Sequence, residues 1–133
     1  MSFKRSAVPA TKFYDFRNPA TGGPTAVASE GFGWSSIDRD WKAWSPPQFL
    51  AALQHPLSLA GFANDWNAMN WADTFVLLAP CGRSAHLEVG WAVGAGKPTC
   101  IRLADGEEPE LMYKMAFLVD SDRLLLEWLE GLS

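Results

Sequence analysis

The residues best suited to chemistry fall in one short stretch, Gly82–Glu88, which reads Gly-Arg-Ser-Ala-His-Leu-Glu. It follows an apolar run, Thr74–Ala79, and opens a segment with the pattern of a helix. The free N–H groups at a helix start, together with the helix dipole, attract anions. Arg83 and Ser84 suit a phosphate there, although Ser84 could equally be a simple N-cap. The stretch therefore predicts either an anion site or an ordinary capped helix.

Glu88 lies one turn inside the same predicted helix, among apolar neighbours such as Leu87 and Val89. A carboxylate at this place is either a solvated helix position or a partly buried acid with a function. Cys81, just before the helix, could be made more acidic by the helix N-terminus.

Several sharper motifs can be excluded. An α/β-hydrolase needs a histidine at a distance after its serine, and none follows His86. A P-loop would need Ser or Thr where Pro98 stands, and the chain has no G-x-G-x-x-G fingerprint. The two cysteines and two histidines have no spacing typical of zinc sites. We therefore predict neither a metal site nor a cofactor.

A βαβ unit must position this stretch. Thr74–Ala79 has the unbroken apolar pattern of a parallel strand covered on both faces. Ser84 is the predicted N-cap of a helix that runs to Ala95 and ends at Gly96, and Thr99–Leu103 is the next strand. The other predicted elements are a strand at Lys12–Phe16, a long loop at Ala20–Trp34, helices at Pro47–Gln54, Phe62–Trp71 and Pro109–Met115, an edge strand at Phe117–Val119, and a final helix at Asp122–Leu129 capped by Ser121.

These elements predict an α/β fold, with a mostly parallel sheet of about four strands and flanking helices in a flavodoxin- or Rossmann-like three-layer arrangement. In such sheets ligands bind beyond the carboxyl ends of the strands, which points to the segments after the first two predicted strands. With 133 residues the chain is expected to form one domain, 1–133, in which 1–12 is a flexible or exchanged arm.

Composition excludes several classes of partner. The net charge is −4, from 11 basic and 15 acidic residues, so duplex nucleic acid is not expected to bind. No apolar run approaches the roughly 18 residues of a membrane span. Met1–Lys12 lacks the apolar core of a secretory signal, so a cytoplasmic location is predicted.

A family resemblance gives these residues more specific roles. Ala72-Asp73 before an apolar strand, Glu88-x-Gly90-x-Ala92 in the helix, and Gly96-Lys97-Pro98 after it together resemble the nucleoside 2-deoxyribosyltransferase-like superfamily. That superfamily includes transferases that exchange bases on deoxyribose and hydrolases that cleave the N-glycosidic bond of nucleoside monophosphates. The resemblance spans roughly Phe13 to Leu129.

The resemblance implies that Glu88 is a nucleophile that attacks the anomeric carbon and forms a covalent glycosyl-enzyme. Asp65, in the Asn64-Asp65 pair, is the implied acid for the leaving base. The implied substrate-binding residues are Gly82, Arg83 and Ser84 at the phosphate, with Phe16, Arg17, Trp34 and His86 elsewhere in the pocket. The expected partner is thus a nucleoside or nucleotide. A non-catalytic binding or regulatory module of the same fold is the alternative.

Two departures from the family pattern shape these expectations. The transferases carry an aspartate six positions before the nucleophile, where this chain has Gly82, and this favours the phosphate-using hydrolases or a binding branch. Only twelve residues precede Phe13, too few for the family's first strand and crossover helix. Missing cover for the sheet predicts a homodimer, because exposed apolar surface marks subunit interfaces.

Overall fold

The structure is a computed structural model that describes residues 32–132. The described residues belong to two compact units, 32–71 and 72–132, and each is described by itself. The predicted strand Lys12–Phe16, the arm 1–12 and nearly all of the predicted loop Ala20–Trp34 lie outside the described residues.

The unit 32–71 contains two α-helices, α1 (Pro46–Ala52) and α2 (Pro56–Trp71). Ser45 forms a capping box at the start of α1, in which Ser45 Oγ accepts from Gln48 N and Gln48 Oε1 accepts from Ser45 N. The prediction that α2 begins at Phe62 is wrong by six residues. Pro56 suits the first position of a helix, and His55 Nδ1 accepts a hydrogen bond from Leu57 N at 3.1 Å.

The unit 72–132 is built on a sheet of three parallel strands, β1 (Phe75–Leu78), β2 (Thr99–Arg102) and β3 (Phe117–Val119), in the order β1-β2-β3. The register pairs Val76 with Cys100 and Cys100 with Phe117. The predicted α/β class with a parallel sheet is confirmed. The described residues hold three strands where about four were predicted.

Two helices cover opposite faces of this sheet, α3 (Arg83–Gly94) and α4 (Asp122–Glu130). The Phe75 ring contacts Trp91 of α3, and the Phe117 ring stacks on Trp128 of α4. Paired residues of parallel strands share a face and neighbours in a strand alternate. Phe75 therefore lies on the α3 face and Phe117 on the α4 face, which gives the three-layer arrangement.

β1 corrects one expectation, since it is not covered on both faces. Leu77 faces α3 and is 3% exposed, whereas Val76 and Leu78 on the other face are 36% and 48% exposed. The cause is that, within residues 32–132, α4 packs mainly on β2 and β3 and not on β1. The apolar run therefore overstated the burial of this strand, and the predicted homodimer stays a prediction.

The helix ends confirm some predicted caps and correct one. Ser121 Oγ accepts from Leu124 N at 3.2 Å and caps α4, and Gly96 follows α3 with φ of +76°, a conformation that favours glycine. The N-cap of α3, however, is Gly82 and not Ser84, which lies inside the first turn. The short helix predicted at Pro109–Met115 is a 3₁₀ helix that begins two residues later, at Leu111–Met115. None of the helices within residues 32–132 is long and apolar enough to cross a membrane.

Cys100 at the centre of β2 gives a prediction for stability at alkaline pH. Its side chain is 0% exposed, and burial raises the pKa of the thiol from 9.0 to about 11. As the pH rises, the thiol deprotonates in the unfolded chain before it does so in the folded chain. The contribution of the neutral, buried thiol to folding stability is therefore complete below pH 9.0 and is lost as the pH rises through about 11. We expect titration of this thiol to lower the free energy of unfolding by about 2 kcal/mol at pH 11.

Urea unfolding of wild type and Cys100→Ala from neutral to alkaline pH measures this loss. The wild type should lose about 2 kcal/mol more than the variant over that range. Parallel curves for the two proteins would show that Cys100 does not titrate with a raised pKa.

Candidate functional site

The N-terminus of α3 presents the residues that the sequence singled out. Gly82 is the N-cap in an extended conformation, and no side chain caps the helix. Arg83 and Ser84 follow in the first turn, and both are exposed. Because Ser84 is not the cap, its hydroxyl belongs to the same first turn as the uncapped N–H groups of α3. This arrangement can attract an anion.

A cavity of about 320 Å³ lies on the α3 face of the sheet, one turn from this helix start. β1 and β2 contribute Leu77 and Ile101 to its wall. The other lining residues come from α3 and from the segment after β2, namely His86, Val89, Gly90, Val93, Glu110, Met112, Tyr113, Met115 and Ala116. Its wall is mostly apolar, and its polar side chains are those of His86, Glu110 and Tyr113.

His86 connects the cavity to the helix start. Its Nδ1 lies 2.8 Å from the Gly82 carbonyl oxygen, which only accepts, so Nδ1 carries a proton and donates. Its Nε2 lies 2.7 Å from the Tyr113 hydroxyl, and the two rings stack with centroids 5.7 Å apart. This fixed imidazole therefore bridges α3 and the 3₁₀ helix Leu111–Met115.

Carboxylates also influence the Tyr113 hydroxyl. Burial raises the pKa of its hydroxyl, and the charge of Glu107, the nearby Cys81, a hydrogen bond to Glu107 and the charge of Glu110 raise it further. The Glu110 carboxylate accepts from Met112 N at 3.0 Å, which caps the 3₁₀ helix. Two acidic side chains thus act on the hydroxyl at the polar end of the cavity.

Cys81 is not the acidified thiol that its place before α3 suggested. Its sulfur lies 3.8 Å from His86 Nδ1, but that nitrogen donates to Gly82 and cannot act as a base toward the thiol. Burial and the charge of Glu107 raise the pKa of Cys81. The thiol is therefore held in its neutral form, which makes it a poor nucleophile.

Glu88 does not line the cavity. It is half-buried, and it lies two residues from both His86 and Gly90. Two residues are about half a turn of α-helix, so Glu88 lies on the opposite side of α3 from these lining residues. Its role as a nucleophile stays a prediction.

The remaining predicted site residues do not belong to the unit 72–132. Asp65 lies in α2 of the other unit, half-buried, and burial raises the pKa of its carboxyl group. Trp34 lies in that unit too, edge-on to Trp44 and Phe49 at 5.6 Å between centroids. Phe16 and Arg17 lie outside the described residues.

Sequence reasoning missed Glu107, Glu110 and Tyr113. They follow β2 at its carboxyl end, which is where the strand-end rule for parallel sheets would have pointed had it been applied to this strand. Among residues 32–132, no group of three or more His, Cys, Asp and Glu side chains could hold a metal ion.

No family model, curated protein or solved structure matches this chain. The function is therefore argued from the geometry of the residues themselves.

Proposed function

We propose that this chain binds a nucleoside 5′-monophosphate beside the carboxyl ends of β1 and β2. The observation that carries the proposal is the direct connection between an apolar cavity and a helix start. His86 lines the cavity and donates to the carbonyl of Gly82, the N-cap of α3. One ligand that is flat and apolar at one end and anionic at the other would match both places.

The cavity supports the flat end of such a ligand. Its volume of about 320 Å³ lies at the lower end of the range for small-molecule pockets, as expected for a base or a nucleoside. Leu77, Val89 and Ile101 give it apolar walls, while His86 and Tyr113 place polar groups at one end. A few polar groups within an apolar wall are typical of sites that fix a ligand's orientation.

The start of α3 supports the anionic end. Gly82 offers no side chain that would compete for the first N–H groups, and a Cβ at this position would meet nothing within 4 Å. Arg83 adds a cation and Ser84 a hydroxyl in the same turn. These donors match the oxygens of a phosphate.

The phosphate part of the proposal predicts a difference between two ligands. At equal concentration a nucleoside 5′-monophosphate should raise the melting temperature by several degrees more than its nucleoside, because the tighter ligand stabilises the folded chain more. Arg83→Gln should remove most of this difference, and the exposed Arg39→Gln serves as the charge-matched control. Differential scanning fluorimetry measures both, and equal shifts for the two ligands in wild type would contradict a phosphate site.

Cleavage of the N-glycosidic bond is a second candidate function, and Glu88, a half-buried carboxylate in α3 a little beyond its first turn, supports it. In this reaction the sugar lies on the Glu88 side of α3, the Glu88 carboxylate bonds to the anomeric carbon as the bond to the base breaks, the base takes a proton from water, and water then hydrolyses the glycosyl ester. Chromatography of free base released from a panel of monophosphates separates this function from binding alone.

A further inference from the structure

The helix α2 exposes apolar side chains on the face that points away from its own unit. Leu59, Phe62 and Trp66 are 52%, 65% and 39% exposed. Their spacing of three and four residues places them on one side of the helix, together with the exposed Ala63. These four residues form the outward face of α2. Polar side chains normally occupy such a face, so its composition calls for an explanation.

The rest of α2 is apolar as well, since its buried residues include Ala68 and Met69. A helix that is apolar on all sides is normally buried, either inside a large protein or in a membrane. Within residues 32–132 no helix is long and apolar enough to cross a membrane. Burial of the outward face by another protein surface is the solution that remains.

The segment that contains this face is nearly free of charge. From Ser45 to Ala72, across α1 and α2, the sequence has one charged residue, the half-buried Asp65. It has no lysine or arginine, the residues with which helices on a membrane surface reach anionic lipids. When a surface pairs with its own copy, like charges meet. The outward face of α2 avoids this repulsion, although the whole chain has a net charge of −4.

The exposed apolar area of this segment is sufficient for a dimer. Ser58 Oγ donates to the Ala52 carbonyl at 2.7 Å and joins the start of α2 to α1. Further large apolar side chains of the two helices and the turn between them are between 37% and 63% exposed, namely Phe49, Leu50, Leu53 and Leu57. At roughly 200 Å² for each large side chain, they and the outward face leave about 700 Å² exposed. A homodimer of standard size buries roughly 500 Å² of apolar surface per partner.

We infer that two copies of this chain associate through the outward face of α2. Pairing of this face with itself closes the assembly at two copies, the commonest symmetry of oligomers. Phe62 and Trp66 already stack on each other, with ring centroids 6.0 Å apart and planes at 11°, so they lose little conformational freedom on association. The association does not depend on the proposed nucleotide site.

Sedimentation velocity on the full chain, from nanomolar to high micromolar concentration, tests the inference. The wild type should sediment as a dimer at micromolar concentration and dissociate on dilution. Phe62→Glu should raise the dissociation constant by about thirtyfold or more, the effect typical of a central interface residue. Leu126→Glu is the matched control, because Leu126 is 57% exposed on α4, and it should leave the dissociation constant unchanged.

Two further measurements separate loss of the dimer from loss of the fold. Far-UV circular dichroism and a melting curve show whether Phe62→Glu is folded. Phe62→Ala adds no charge to the exposed surface, and it should weaken the dimer in the same direction by about tenfold.

The contrary outcomes are distinct. A wild type that stays monomeric at high micromolar concentration would overturn the inference and leave the proposed nucleotide site standing. Assembly that continues beyond two copies would contradict pairing of the face with itself. A dimer that survives both Phe62 substitutions would exclude the outward face of α2, and its dissociation in Leu78→Ala would place the interface on β1.

Discussion

Replacing Glu88 with glutamine is expected to lower base release from a nucleoside monophosphate by a factor on the order of a thousand or more. Glutamine keeps the size of the side chain but removes the charge that a nucleophile must donate to the anomeric carbon. Glu88 lies on the side of α3 opposite the cavity-lining residues, so this reaction requires the sugar to lie on the Glu88 side of the helix, and binding of a ligand in the cavity should be unchanged. Chromatographic base release and calorimetric binding, measured on the same preparation, separate the two effects.

Glu108→Gln is the control for this experiment, since it removes one exposed carboxylate without touching α3. A Glu88→Gln protein that releases base at the wild-type rate would exclude Glu88 as the nucleophile. A wild type that binds monophosphates but releases no base would exclude the glycosidase and leave the binding function. The position of Glu88 makes this comparison the sharpest test between the two candidate functions.

Leu77→Ala is expected to lower the free energy of unfolding by about 3 kcal/mol, while Leu78→Ala, one residue later, costs only about 1 kcal/mol. Leu77 is 3% exposed beneath α3, whereas Leu78 is 48% exposed on the opposite face of β1. Truncating the buried Leu77 side chain loses the free energy of transferring it out of water and leaves a cavity. Truncating the exposed Leu78 side chain removes only the smaller apolar area that it buries.

Urea unfolding of the two variants compares the same chemical change at adjacent positions of one strand. Equal losses would contradict the arrangement in which α4 leaves the outer face of β1 uncovered. A large loss at Leu78 in concentrated protein that disappears on dilution would instead indicate that a second copy covers this face, as the predicted homodimer requires.

The fold was predictable where a local signal and the tertiary structure agree. Phe117–Val119 was predicted with its observed bounds, and the helix after Ser121 differs by one residue, because a capping serine and turn residues mark these ends. The burial of β1 was not predictable, because an apolar run does not show which neighbours its two faces receive. Nor was the cap of α3, since both Gly82 and Ser84 are acceptable caps and only the backbone decides between them.

The candidate site was predictable at its helix start and not at its cavity. Arg83 and His86 follow directly from the strand–turn–helix pattern. Tyr113 meets His86 only because parallel strands return the chain to the same edge of the sheet after β2. Such a meeting of distant residues depends on the crossover geometry, which has no local trace in the sequence.

The order of the strands has a consequence for how the unit 72–132 acquires its structure. Within it, each strand pairs with the one that precedes it in the chain, first β1 with β2 and then β2 with β3. Pairing therefore closes two successive crossovers, residues 79–98 and 103–116, and never has to bring the first and last strands together directly. These pairings join residues that are well separated in sequence, such as Phe75 with Thr99, and such non-local contacts accompany slower folding.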